Sequence, residues 1–488
     1  MHDRQTSRNL LQMSDAFSSS QFETFEARLA SHFPHEPTEG QSRLFYAFKR
    51  FMFSEKEHCA LLLKGYAGTG KTSSVVAMVN TLEELGVSCV LLAPTGRAAK
   101  VLSTYTGRNA WTIHRHIYQM TSEGGFFLRD NVSQRTVYFI DESSMIGTGQ
   151  DNQGADLLDD LMTFIFQGDG CRVLFIGDQA QLPPVGSSES PALQLDYLRR
   201  HYALHIGEVV LDEVVRQARD SGILAQATRL REQMITSPQT MPKLSRTFYP
   251  DVVNVQEDLQ GHLESAVSQF GIEDVLIITR SNKRANLYNQ EVRVRLLWHE
   301  EEINSGERML VVKNNYFWLD ESHRQASFIA NGDILRIQRV LRFEDRGEFR
   351  FCRAIVALDD YPNLPSLEVI LLCNSILDEQ PSLSQEKLQA LARVIAEDYP
   401  DITDERMLRK ALRRDPYYNA IQVKFAYAVT CHKSQGGQWP CVFLDQGYLT
   451  DDMVGLELLR WYYTGMTRAS QKLYLVGFSD NLFEDSCN

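Results

Sequence analysis

The chain lacks any uninterrupted apolar run of the roughly eighteen residues that a membrane-crossing helix needs. Charged residues make up 23% of its 488 positions and recur throughout, so no membrane span is expected. The first residues, Met1-His2-Asp3-Arg4-Gln5, lack the apolar core of a secretory signal. No Cys-x-x-Cys pair occurs among the eight cysteines, Cys59, Cys89, Cys171, Cys352, Cys373, Cys431, Cys441 and Cys487. That scatter argues against zinc or iron–sulfur ligation and for free thiols, and a cytoplasmic location is expected. Internal repeats are missing. So is an excess of positive charge: 50 Lys and Arg face 63 Asp and Glu, for a net charge of −13. A uniformly sticky polyanion binder is thereby excluded. A locally basic groove in an acidic exterior is not, and it predicts modest, salt-sensitive nucleic-acid affinity. The length and the 43% hydrophobic content suit roughly two to four domains, each with its own core.

What the chain does have is an apolar segment, Leu61-Leu62-Leu63-Lys64, running into Gly65-Tyr66-Ala67-Gly68-Thr69-Gly70-Lys71-Thr72. This is G-x-x-x-x-G-K-[ST] in its required strand–loop–helix setting. Glycines let the backbone turn its N–H groups inward onto phosphate oxygens. Lys71 brings a cation to the β- and γ-phosphates, and the Thr72 hydroxyl suits Mg²⁺. Ser73 opens a helix whose positive end faces the same phosphates. The nucleotide-binding set is therefore Gly65, Ala67, Gly68, Thr69, Gly70, Lys71, Thr72 and Ser73, with ATP and Mg²⁺ as cofactors.

Residues 1–37 read as a polar, loosely attached arm ending in the amphipathic stretch Phe22 to Phe33, with Pro34 and Pro37 at the joint. From Thr38, short apolar runs at 60–63, 89–92, 137–140 and 173–176 alternate with helical stretches. A second series lies at 209–211, 275–278, 441–444 and 473–476. Both have the pattern of parallel sheets covered on two faces, predicting an α/β protein. The interval from about 303 to 415 differs. Glu307–Val340 and Phe349–Cys373 alternate like antiparallel strands around an Asn331-Gly332-Asp333 turn, which fits a small β-barrel. Two helical pieces follow, Gln385–Glu397 and Thr403–Arg414.

Val137-Tyr138-Phe139-Ile140-Asp141-Glu142 is an apolar strand ending in two carboxylates. Asp141 suits Mg²⁺, and Glu142 suits polarisation of the attacking water. A further strand, Val173–Ile176, enters Gly177-Asp178-Gln179-Ala180-Gln181-Leu182-Pro183-Pro184-Val185. Gln181 is placed there to sense the γ-phosphate or its water through an amide.

These segments come in a telling order. With Ala93-Pro94-Thr95-Gly96-Arg97, Thr112-Ile113-His114, Glu213-Val214-Val215-Arg216-Gln217, Ala428-Val429-Thr430-Cys431-His432-Lys433-Ser434-Gln435-Gly436 and Tyr463-Thr464-Gly465-Met466-Thr467-Arg468-Ala469, the series resembles the motifs of superfamily 1 DNA helicases. The likeness is to the RecD-like and Dda-like 5′→3′ branch, superfamily 1B, and covers about residues 38 to 480.

The resemblance implies two RecA-like P-loop domains with parallel sheets: 1A over 38–200, and 2A over 201–302 and 416–488. It implies a hairpin insertion (1B) at 118–136 and an SH3-like barrel (2B) within 303–415. Gln41 is similar to the adenine-reading glutamine, with a helix-capping segment as the other reading. Arg216 and Arg468 are similar to arginines that reach the γ-phosphate from the second domain, as guanidinium forks suit that charge. Thr95, Arg97, Thr112, His114, Thr430, His432 and Lys433 would line a single-strand groove. His114 is equally read as a packed core residue. Phe126 and Phe127 would form a pin that parts the duplex, or pack back onto domain 1A. The implied activity is ATP-driven 5′→3′ DNA unwinding. A protein-displacing translocase and an accessory subunit of a larger helicase are the alternatives. The implied partners are single-stranded DNA and duplex junctions, with protein partners in repair or recombination. A monomer is expected.

Overall fold

The computed structural model describes residues 19–120, 126–147, 156–215, 221–246, 249–319, 328–359, 361 and 363–484. Contacts divide the chain into two units. The first runs through residue 219 except for 95–97 and 120–126, which cluster with the second, from 220 onward.

In the first unit the strands are β1 (Cys59–Gly65), β2 (Cys89–Ala93), β3 (Ala110–Thr112), β4 (Tyr118–Met120), β5 (Phe126–Leu128), β6 (Val137–Ile140), β7 (Arg172–Gly177) and β8 (His205–Leu211). Six of them form one sheet in the order β3-β2-β6-β7-β1-β8, with every ladder parallel, and this corrects the expected boundary at 200: the run 209–211, expected in domain 2A, belongs to the first unit because β8 pairs along the whole of β1. The strands are short and almost uniformly apolar because helices cover both faces. All of β6 and β7 is buried. The register sets Lys64 of β1 opposite Gly177 of β7, and Ile140 of β6 opposite Phe175. The C-terminal ends of β1, β6 and β7 therefore finish side by side, where open α/β sheets hold ligands. β4 and β5 make a separate two-stranded sheet.

The N-terminal helix corrects one expectation. α1 (Ser19–Ser31) is not loosely attached. Its Phe25 and Leu29 are fully buried among Phe48, Phe51 and Met52 of α2 (Glu39–Met52). Phe25 meets the Phe53 ring edge-on at 5.4 Å. Arg28 pairs with Glu84 at the end of α3 (Lys71–Glu84), and His32 Nε2 lies 2.9 Å from the same carboxylate. Each buried apolar side chain of this size stabilises the fold by about 2–3 kcal/mol.

The second unit contains β9 (Leu244–Ser245), β10 (Val252–Val255), β11 (Val275–Thr279), β12 (Arg308–Val311), β13 (Ile334–Arg346), β14 (Phe349–Leu358), β15 (Leu367–Leu372), β16 (Ile421–Phe425), β17 (Ala428–Thr430), β18 (Trp439–Asp445), β19 (Ala469–Val476) and β20 (Phe483–Glu484). A five-stranded parallel sheet runs β10-β19-β18-β11-β17. Between β11 and β17 the chain closes a barrel, β12-β13-β14-β15-β16. It is antiparallel except where β15 meets β16. Inward positions such as Met309, Ile337, Cys352, Val356 and Val423 fill it, and Gly332 at φ +98° makes the turn into β13. The helices Gln385–Ala396 and Glu405–Leu412 pack outside, their Leu391, Ile395 and Leu412 against Phe349 and Phe351. Among the described residues, no helix is long and apolar enough to cross a membrane.

Candidate nucleotide site and nucleic-acid interface

The loop leaving β1 has the shape its glycines permit. Gly68 and Gly70 adopt φ +75° and +82°, conformations that a side chain rarely takes. A Cβ on Gly70 would also lie 2.4 Å from Gln41 Nε2. Thr69 Oγ1 donates to Tyr66 O at 2.8 Å, and Val215 N–H donates to Gly68 O at 3.0 Å. Lys71 Nζ donates to Gly65 O at 2.7 Å and Tyr66 O at 2.9 Å, and stands 3.8 Å from Asp178 Oδ2. Thr72 is exposed at the start of α3, while Ala67 and Ser73 are half-buried.

Asp141 follows β6 directly. Burial raises its carboxyl well above the usual carboxylate range, the neighbouring Glu142 adds to the rise, and Lys71 opposes it. Asp141 Oδ1 accepts the Glu142 N–H at 2.9 Å. Glu142 itself sits in the left-handed region at φ +49°, at a cost of order 1 kcal/mol or more for a residue with a Cβ. Gln181 is buried, and among the described residues its Oε1 has no hydrogen-bond partner. Asp178, fully buried after β7, accepts the Ala180 N–H at 2.9 Å.

Gln41 belongs to a capping box at the start of α2: its Oε1 accepts from Thr38 N–H at 2.9 Å, and its own N–H donates to Thr38 Oγ1. Its Nε2 donates to Thr69 O at 3.1 Å, which ties the capping segment to the phosphate loop. The helix-capping reading of Gln41 is thus observed, with the side chain held against the phosphate loop.

Of the groove candidates, Thr112 caps the short helix Ile113–Ile117 by accepting the Arg115 N–H at 3.2 Å, and is buried. His114 is half-buried, its ring 5.8 Å from that of Tyr118. Thr95 and Arg97 cluster with the second unit, where the Arg97 guanidinium lies 3.8 Å over the Trp439 ring. Thr430 starts the short helix Cys431–Ser434. Burial lowers the pKa of His432 and pushes that of Lys433 down to about 8. Lys433 Nζ donates to Asn331 Oδ1 at 2.6 Å. Arg468 is buried in the second unit, donating to Thr464 O at 3.1 Å and Gly437 O at 3.0 Å. Phe127 is 46% exposed. Arg216, the hairpin tip at 121–125 and the Phe126 side chain lie outside the described residues.

Sequence reasoning gave Asp178 no role of its own, although it is the carboxylate facing Lys71. The available signal was an acid placed directly after an apolar strand. Its value depends on β7, rather than β6, being the neighbour of β1.

An AAA-domain family model matches residues 43–246, and a UvrD-like helicase C-terminal domain model matches 425–476. The chain is similar to the ATP-dependent RecD2 DNA helicase of Deinococcus radiodurans, at 34% identity over 175 residues, 35% of this chain and 21% of that protein. It is similar to the ATP-dependent DNA helicase dda of Enterobacteria phage T4, at 30% identity over 162 residues, 32% of this chain and 34% of that protein. The chain thus spans about a fifth and about a third of these relatives' lengths. Among solved structures, a Pif1 helicase at forked duplex DNA aligns over 93% of this chain and 95% of its own, with TM-score 0.47 and 16% identity. The two family models thus fall at the two ends of the motif series, and over part of its length the chain is similar to RecD-like helicases.

Proposed function

We propose that this protein is an ATP-dependent DNA helicase that moves 5′→3′ on a single strand and opens duplex DNA. The observation that carries the reading is the meeting of Lys71 and the phosphate loop with Asp141 and Asp178 at one edge of a parallel sheet. Phosphoryl transfer needs charge stabilisation and positioning more than covalent chemistry, and this edge offers both. Lys71 exchanges its two carbonyl partners for β- and γ-phosphate oxygens. Gln181 turns its unpartnered amide oxygen to the attacking water, and Glu142 polarises that water. The residues fit Mg²⁺: the Thr72 hydroxyl and the buried Asp141 carboxylate are hard oxygen donors. The ion would supply charge neutralisation on the phosphates. Gln41 reads adenine from its place beside Thr69.

Arg468 supplies a guanidinium group from a second RecA-like domain, so turnover follows domain closure, and Arg216, which follows β8 in the sequence, supplies another. Thr95, Arg97, Thr112, His114, Thr430, His432 and Lys433 grip the strand's backbone, as cations and hydroxyls suit phosphate without base reading. The hairpin with Phe126 and Phe127 acts as the 1B pin, and the barrel is the SH3-like 2B insertion. The protein works as a cytoplasmic monomer.

The test is unwinding of 5′-tailed against 3′-tailed duplexes with ATP, alongside ATPase activity with and without oligo-dT. Stimulated hydrolysis and selective opening of the 5′-tailed substrate are expected. Hydrolysis indifferent to DNA would overturn the reading. Stimulated hydrolysis without strand separation would leave a translocase.

A further inference from the structure

We infer that the exposed face of the helix Glu405–Leu412 docks on the phosphate backbone of duplex DNA. This rests on the helicase reading and adds a contact outside its motifs. Residues 406–414 hold five cations, Arg406, Arg409, Lys410, Arg413 and Arg414, and no acid, in a chain of net charge −13. All five residues are exposed. Arg409 pairs with Glu405 at 2.8 Å. Among the described residues, Arg406, Lys410 and Arg414 have no carboxylate partner. These three recur at every fourth position. They therefore line one side of the helix and of the turn that continues it, about 6 Å apart along the axis.

The helix is held firmly enough to present them. Asp404 Oδ1 caps it, accepting from Arg406 N–H at 3.0 Å and Met407 N–H at 2.9 Å. Leu412 is buried with Leu391, Ile395 and the barrel's Phe349 and Phe351.

The helix dipole does not account for this row. It favours cations in the last turn only, and Arg406 sits in the first, where a cation is disfavoured. Like charges four residues apart also repel, by about 0.2–0.5 kcal/mol per pair. A row of this kind costs the fold unless a polyanion faces it. Duplex DNA is the favoured occupant, with one charge per ~1.7 Å of axis and a rigid shape. Single strands are held by a basic groove together with aromatic platforms, and this helix carries no aromatic residue. The one exposed large apolar side chain on this helix is Met407.

The test is the full chain carrying R406E, K410E and R414E, with R406K/K410R/R414K as the charge-preserving control and thermal melting as the check on folding. The probe is a blunt duplex of about thirty pairs, titrated over a range of salt. Loss of three phosphate contacts should make the log–log salt slope shallower by about 2.7 and weaken duplex binding by about tenfold or more at low salt. The control should bind as the parent does. Oligo-dT-stimulated ATPase should be unchanged. An unchanged duplex slope in the reversed variant would overturn the inference, as would loss of retention on polyglutamate with duplex binding intact, which would mark an acidic protein as the occupant. Failure of oligo-dT to stimulate the parent protein would instead strike the helicase reading.

Discussion

At the residue scale, Gln181 is the informative side chain. A buried amide oxygen without a partner costs the fold about 1–3 kcal/mol. Its retention makes sense if the oxygen is needed when nucleotide binds. Gln181→Leu should therefore leave melting unchanged or raised while slowing single-turnover ATP hydrolysis by about a hundredfold, the usual scale for a lost positioning contact. Normal turnover in that variant would remove Gln181 from the chemistry. Lys433 gives a pH test. Burial lowers its pKa to about 8, so the ammonium is half lost near that pH. A bound phosphate favours the charged form, so strand affinity should fall as pH rises through about 8. Lys433→Arg should flatten that profile, since guanidinium stays charged. An equally steep profile in the variant would exclude Lys433 as the source. The positions of Lys71, Asp141 and Gln181 just after strands were legible because the strand–loop pattern is local in the sequence. Asp178 beside Lys71 and the left-handed Glu142 were not, because strand order and backbone strain are set by distant pairing.

At the element scale, the parallel sheets and the barrel were readable from their burial patterns. β7 is buried at each position, whereas the buried positions of β14 are interrupted by half-buried ones. The packing of α1 was not readable. Phe22, Phe25 and Leu29 carry a helical spacing, but the apolar cluster that receives Phe25 and Leu29 also draws on β1, β6 and β7, which are remote in sequence until folded. Phe25→Ala should lower unfolding free energy by about 3–5 kcal/mol, measured by chemical denaturation. A cost near zero would mean that α1 does not stabilise the first unit. The short helix Ile113–Ile117 carries a pH-dependent counterpart. Burial, with Arg129 nearby, lowers His116 to about 4, and its ring meets Phe164 at 5.4 Å. The unfolded chain binds this proton near pH 6.5 and the folded chain only near 4. Stability is thus full above about 6.5 and falls by roughly 3 kcal/mol as pH drops to about 4. His116→Gln should remove that part of the acid loss, and identical curves for the two proteins would refute the assignment.

At the scale of the whole molecule, the proposed function requires that hydrolysis in the first unit depend on a side chain of the second. Arg468 tests this because its bonds are known. It ties Thr464 O to Gly437 O, joining the helix Leu456–Met466 to the loop before β18. Removing it therefore carries two separable consequences. Arg468→Ala deletes a buried charge-assisted network and should lower melting. Arg468→Lys keeps a charge and a donor but not the guanidinium fork that matches phosphate oxygens. If the residue only ties the second unit together, turnover of the Lys variant should track its stability. If it also completes the nucleotide site on closure, the Lys variant should bind ATP with near-parent affinity and cleave it about a thousandfold more slowly, as for arginines supplied to other phosphoryl-transfer sites. A fluorescent ATP analogue reads the first quantity and single-turnover hydrolysis the second. A Lys variant that stays folded and cleaves ATP at the parent rate would show that this arginine does not couple the two units.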